Sequence, residues 1–289
     1  MGNSIAQGKT YIPMLDQTYA LASKTAILDS DPQFVRLAEN GKDFLVGKLS
    51  LQGLGDTTRG GSYVDGDVTF AWETITPSWD RNRLFTVDAM DNLETAGLAY
   101  GKIAGEFIRT KVTNEIDAVR FSAYASTSGI QEVGTPATLS TGAATMTAIG
   151  VGITALEENE VDVSQCYLFI TPTLHNLILD LATTASRELL GKFAGIVEVP
   201  QSRFYKGVTL AANGAGGYAK TTTTGADINF MIIDPAAVVQ ALKHVAPKIV
   251  TPEDNQSGDN WKFGYRAYAV HEVLENHVKG VYSHVKAAG

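Results

Sequence analysis

DVTFAWETITPSWDRNRLFTVDAMDN (67–92), running straight into NLETAGLAYGKIAGEFIRTKVTNEIDAVRFSAY (92–124), holds the change of pattern that decides the fold. The first half reads as extended, hairpin-like chain, with Val68, Phe70 and Trp72 on one face and Thr69, Ala71 and Glu73 on the other. Asp91 followed by Glu94 reads as a capping box that opens a helix. From there Leu93, Tyr100, Ile103, Phe107, Val112, Ile116 and Val119 recur at three-to-four spacing, which predicts one helix over 92–124. At about 1.5 Å per residue that rod is on the order of 50 Å long, more than most globular cores need. A long spine beside a glycine-rich hairpin is a part built to reach its neighbours.

Around that stretch, residues 1–43 read as an arm with a short helix over 14–28, broken at Asp31-Pro32 and too poor in apolar surface to fold alone. Residues 44–90 form the extended hairpin, whose section QGLGDTTRGGSYVDG (52–66) holds five glycines. After the rod come a loop from Gly129, a helix over 143–159, an apolar strand CYLFI (166–170) and a helix over 173–189 opened by Pro172. GIVEVPQSRF (195–204) is strand-like and 212–229 is turn-rich. The pattern continues as a strand over 228–233, a helix over 235–242, a loop over 251–260 and strands over 261–275 and 277–286. The fold class is α+β, with no internal repeat and no linker between independent domains.

The chain has 289 residues, 44% hydrophobic and only 19% charged, so its surface is lean in charge and suited to being covered. A net charge of −8 argues against gripping DNA through phosphate contacts, although an acidic wall can enclose nucleic acid without sticking to it. The single cysteine, Cys166, lies in an apolar run and reads as a buried small hydrophobe from a reducing cytoplasm. No signal peptide, acylation pattern or stretch of 18 apolar residues is visible.

Catalytic patterns fail one by one. Glycines 53, 55, 60 and 61 miss the dinucleotide fingerprint because Thr58 stands where a glycine is required. GDTTRG (55–60) is followed by Gly61-Ser62, so no P-loop lysine reaches a phosphate. HEVLE (271–275) has Glu275 where a zinc protease needs its second histidine, and His271 and His277 have no standard metal spacing. No GxSxG elbow exists. The chain does not read as an enzyme, and no cofactor is expected.

One constellation remains. Gly97, Gly101 and Gly105 fall at i, i+4 and i+8 of the rod, each costing about 1 kcal/mol relative to alanine. Either they are incidental glycines in a tolerant helix, or they bare a groove where another chain segment crosses. Trp72, Trp79 and Arg81 join them as expected inter-subunit contacts. Trp79 sits in a turn just before Asp80-Arg81, where a lone domain would leave it wet unless it packs on the hairpin's own base.

WETITPSWDRNRLFTVDAMDNLET (72–95), RTKVTNEIDAVRFSAYAS (109–126), GIVEVPQSRF (195–204), INFMIIDPAAVVQALKHVAPKIVTPE (228–253) and WKFGYRAYAVHEVLENHVKGVYSHVKA (261–287) occur in the order that resembles the major capsid proteins of tailed bacteriophages. The resemblance runs from about residue 44 to the end. It implies a tailed-phage capsid fold with an N-arm (1–43), an extended E-loop hairpin (44–90), a peripheral domain with a spine helix (91–128), an axial domain (129–227) and a return to the peripheral domain (228–289). It also implies a shell of pentamers and hexamers around double-stranded DNA, made in a bacterial cytoplasm and found in the virion, with no membrane partner. Portal and head-decoration or connector proteins are its implied partners. No long scaffolding segment precedes the arm, which implies a separate scaffolding protein or none. The lysine–asparagine cross-link of some members is not expected, because 52–66 holds no lysine and Lys48 lies at the hairpin's base. Two rival readings stand beside this one: an encapsulin-type nanocompartment shell of the same fold, and a soluble α+β enzyme.

Overall fold

The structure, a computed structural model, describes residues 23–29, 36–37, 44–56, 59, 61, 64–75, 79–89, 105, 107–181, 183–211 and 216–287. The apolar runs build a mixed sheet ordered β5-β14-β11-β6-β7: Gln131–Glu132, Val281–Val285, Ala226–Ile233, Tyr167–Ile170 and Gly195–Glu198. Strands β6 and β7 run parallel, as do β14 and β5, while β11 is antiparallel to both its neighbours. Both faces are covered, which is why these strands read as continuous apolar runs and not as alternation. Met231, Ile233 and Phe169 pack toward helix α1 (Thr113–Ser126) with Phe121 and Tyr124. Phe230, Ile232, Leu168 and Ile170 pack toward helices α2 (Gly142–Glu157) and α3 (Pro172–Leu179) with Ile149, Ile153 and Ile178.

A second, longer sheet carries β12 (Val238–Val250), β13 (Asn260–Val273) and β4 (Trp79–Asp88), antiparallel throughout. Phe263, Tyr265, Ala267 and Ala269 of β13 press against Trp79 and against Ile108, Val112 and Ile116 of the spine. A third sheet is the hairpin of β2 (Phe44–Leu51) and β3 (Val68–Ile75), edged by β1 (Arg36–Leu37). Short strands β8 (Tyr205–Lys206), β9 (Val208–Leu210) and β10 (Tyr218–Lys220) complete the chain, with β9 and β10 paired to each other and β8 paired to β11.

Several sequence expectations need correction. The stretch 67–92 is not hairpin throughout. Strand β3 pairs back on β2, and after it the chain crosses to the long sheet, where β4 lies beside β13. Residues 238–242 are strand and not helix: Pro235 opens only a three-residue 3₁₀ turn, after which Val238 and Val239 enter twelve registered pairs with β13. Tertiary pairing of β-branched residues overrides the helix-start signal there. The helix expected over 173–189 is two, because Thr183 accepts the Ser186 N–H (3.2 Å) and caps a new helix, α4 (Thr184–Leu190). The rod ends at Ser126 and contains a π-helical turn at Ile108–Val112, where the Thr113 hydroxyl donates to the Ile108 carbonyl five residues back (3.0 Å). Asp91, Glu94, Leu93, Tyr100 and Ile103 lie outside the described residues, as does most of the helix expected over 14–28.

Cys166 is fully buried, and burial, followed by the charges of Asp234 and Asp162, pushes its thiol up to about 12. It is the inert core residue that its sequence setting suggests.

Candidate assembly interface

Pairing puts Leu51 opposite Val68, Leu49 opposite Phe70 and Gly47 opposite Trp72, so all of these share one face of the hairpin. Phe70 leans across Gly47 so closely that a Cβ there would sit 3.1 Å from its ring, and it meets Trp72 edge to face at 5.2 Å. Leu49, Leu51, Val68, Phe70 and Trp72 are each about half or more exposed, from 49% to 66%. At the tip Leu54 is fully exposed and Val64 is 60% exposed.

The opposite face is the one the subunit holds. Val46 and Ile75 pack with Val239, Val270 and Leu274, and Lys48 pairs with Glu275. Lys48 is a cation beside Glu73 and Glu275; burial and then neighbouring carboxylates raise the carboxyl pKa of both Glu73 and Glu272. The hairpin is therefore anchored through its root and its polar side, with its apolar side turned away from its own body. Contiguous exposed apolar surface of this kind marks an interaction site. Leu49 and Leu51 were missed in the sequence, although FLVGKLSL (44–51) alternates in step with Val68, Phe70 and Trp72.

The other expected contact residues lie elsewhere. Trp79 is not wet: it is 3% exposed, packed between the spine and β13, with no acceptor for its indole N–H among the described residues. It starts β4, and the pleat turns its ring inward. Arg81 is likewise engaged within the subunit. It donates to Glu115 on α1 (2.9 Å) and to the Ala211 carbonyl (2.9 Å), tying the long sheet to the spine and to the β9–β10 hairpin. Gly97 and Gly101 lie outside the described residues. At Gly105 an added Cβ would meet nothing within 4 Å among the described residues, so no described segment of the same subunit crosses the spine there.

Among the described residues no three His, Cys, Asp or Glu side chains converge as metal ligands would, and no helix is long and apolar enough to cross a membrane.

No family model and no curated relative matches the chain by sequence. Solved structures do match by fold. The capsid of the cyanophage P-SCSP1u superposes with a TM-score of 0.58 at 14% identity, over 88% of this chain and 86% of that one. A Mycobacterium phage Che8 chain gives 0.57 at 13%, over 90% and 89%. The virus-like particle from Pyrococcus furiosus gives 0.54 at 14%, over 95% and 99%. The superpositions run along most or nearly all of each matched chain, so this chain has a tailed-phage capsid-like α+β fold.

Proposed function

We propose that this chain is a major capsid protein that self-assembles as pentamers and hexamers into an icosahedral head enclosing double-stranded DNA. The observation that carries the reading is the exposed apolar face of the hairpin on a fold similar to a phage capsid and a virus-like particle. Each half-exposed side chain on that face gains about 1 kcal/mol on full burial before ordering costs, so one hairpin offers several kcal/mol of association. Repeated around a closed shell, that sum holds subunits together without catalysis.

In this reading residues 1–43 are the N-arm, 44–90 carry the E-loop, 91–128 the spine, 129–227 the axial domain and 228–289 the return to the peripheral domain. The Trp72 face and the Gly97, Gly101 and Gly105 stripe meet neighbouring copies. A separate scaffolding protein, a portal and connector or decoration proteins complete the particle. The net charge of −8 suits a wall that confines DNA without binding its sequence.

Nuclease treatment of particles purified from infected cells tests this: genome-length DNA should survive inside. Particles that hold a protein cargo and no DNA would instead make the chain the shell of a nanocompartment.

A further inference from the structure

A segment outside the hairpin is seated in a site with its own chemistry. Ser23–Asp29 has only one 3₁₀ turn (Ala26–Leu28) of its own, yet Thr25 is fully buried and Leu28 is 2% exposed. Leu28 enters the core beside Phe121, Tyr124 and Phe169. Around Thr25 the body supplies a ring of polar side chains from sequence-distant elements. Asp117 on α1, itself fully buried, accepts from Ser23 Oγ (2.6 Å), Lys24 N (2.9 Å), Thr25 N (3.3 Å) and Thr25 Oγ1 (2.8 Å), and from Arg203 Nη1 (3.1 Å). Arg120, 1% exposed, donates from Nη1 to Thr25 Oγ1 (2.8 Å), and its Nη2 pairs with Asp29 (3.3 Å). The Tyr124 hydroxyl donates to Gln240 Oε1 (2.7 Å), which turns the Gln240 amide N–H groups onto the Thr25 carbonyl and Asp29.

Two features separate this from ordinary packing. Among the described residues, every partner that the Arg120 guanidinium finds belongs to the segment, and its Nε has none. Loss of the segment would take away every described partner of the Arg120 guanidinium at once, a costly change for a charge held in the interior. Two of the body's side chains also have a partner outside the segment: Tyr124 donates to Gln240, and Arg203 donates to Asp117. Convergent polar groups plus one apolar pocket are the makings of a peptide-binding site.

We infer that Asp117, Arg120, Tyr124, Gln240 and Arg203 form a binding site for an extended peptide with the pattern Ser-X-Thr-X-X-Leu-Asp, occupied by this chain's own residues 23–29. The segment is a separable strap. It clamps the spine helix, the long sheet and the 201–203 turn to one another. Thr25 decides recognition, because its hydroxyl alone both donates to Asp117 and accepts from Arg120. The inference concerns the single subunit and does not depend on shell assembly.

The test uses the full chain with a protease site placed between residues 30 and 35, cut after folding. The N-terminal fragment should co-elute with the body on gel filtration and exchange with a synthetic peptide of residues 20–32. A peptide with Thr25→Val should compete about tenfold or more weakly, the effect of losing hydrogen bonds to charged groups. Three results would each overturn the inference: loss of the fragment from a body whose melting temperature is unchanged, unfolding of the body on cleavage, or equal competition by the Thr25→Val peptide.

Discussion

Phe70 and Trp72 meet edge to face, with ring centroids 5.2 Å apart, and the subunit that carries them leaves both about half exposed. Two aromatic rings paired with each other on exposed chain gain little for a lone subunit and much for an assembled one. Phe70→Ser with Trp72→Ser should leave the melting temperature of the free subunit within a few degrees of wild type, because neither ring enters a core cluster. The same protein should show no large assemblies by sedimentation velocity. A marked drop in subunit stability would place these rings in the fold and not in the interface.

Trp79→Ala should behave in the opposite way. The ring is buried between the spine and β13, so truncation should cost about 3–5 kcal/mol of subunit stability. Chemical denaturation of the unassembled chain would check this. Unchanged stability with failed assembly would return Trp79 to the role of an inter-subunit anchor.

These two tryptophans show what the sequence made legible. Alternation over 68–73 revealed a face, and the face is real; whether a face meets its own body or another's depends on pairing partners that alternation does not encode. For Trp79 the partner is β13, about 190 residues downstream, which no local pattern announces. The doubly covered strands CYLFI and INFMII were readable because fully buried runs need no partner to be recognised. The strap was not readable. Its recognition rests on Asp117, Arg120 and Gln240, ordinary polar letters whose burial only the fold produces. The arm therefore cannot be trimmed as freely as its composition suggests: removing residues 1–28 takes away Thr25 and Leu28, and with them part of the core.

Acid should loosen the subunit. His271 on β13 stands opposite Gln240 and under the field of Arg120; burial first, and Arg120 second, hold its imidazole down at about 4, against 6.5 when free. A depressed histidine means that the unfolded chain binds more protons, so this contribution is full above pH 6.5 and is lost as pH falls to about 4. The loss amounts to about 3 kcal/mol at most. Asp29, in the same cluster, and Glu73 and Glu272 at the hairpin root act oppositely: burial raises their pKa values, so the folded state takes up their protons first and part of the loss is offset. His271→Gln should flatten urea-unfolding midpoints across this range, and an unaltered slope would rule out His271 as the group responsible.

Gly105→Ala should stabilise the free subunit by up to about 1 kcal/mol, since alanine is the better helix former and its methyl meets no described atom within 4 Å. Gly105→Leu should fold equally well yet close shells poorly, provided that a neighbouring copy crosses the spine there. Normal particles from Gly105→Leu would show that nothing does.

The most direct test of the shell assignment is electron microscopy of the purified wild-type chain beside its Phe70→Ser, Trp72→Ser variant. The account predicts closed particles of uniform diameter with icosahedral symmetry from the wild type, and dispersed folded subunits from the variant. Wild-type protein that stays monomeric under all assembly conditions, or a variant that forms the same particles, would contradict it.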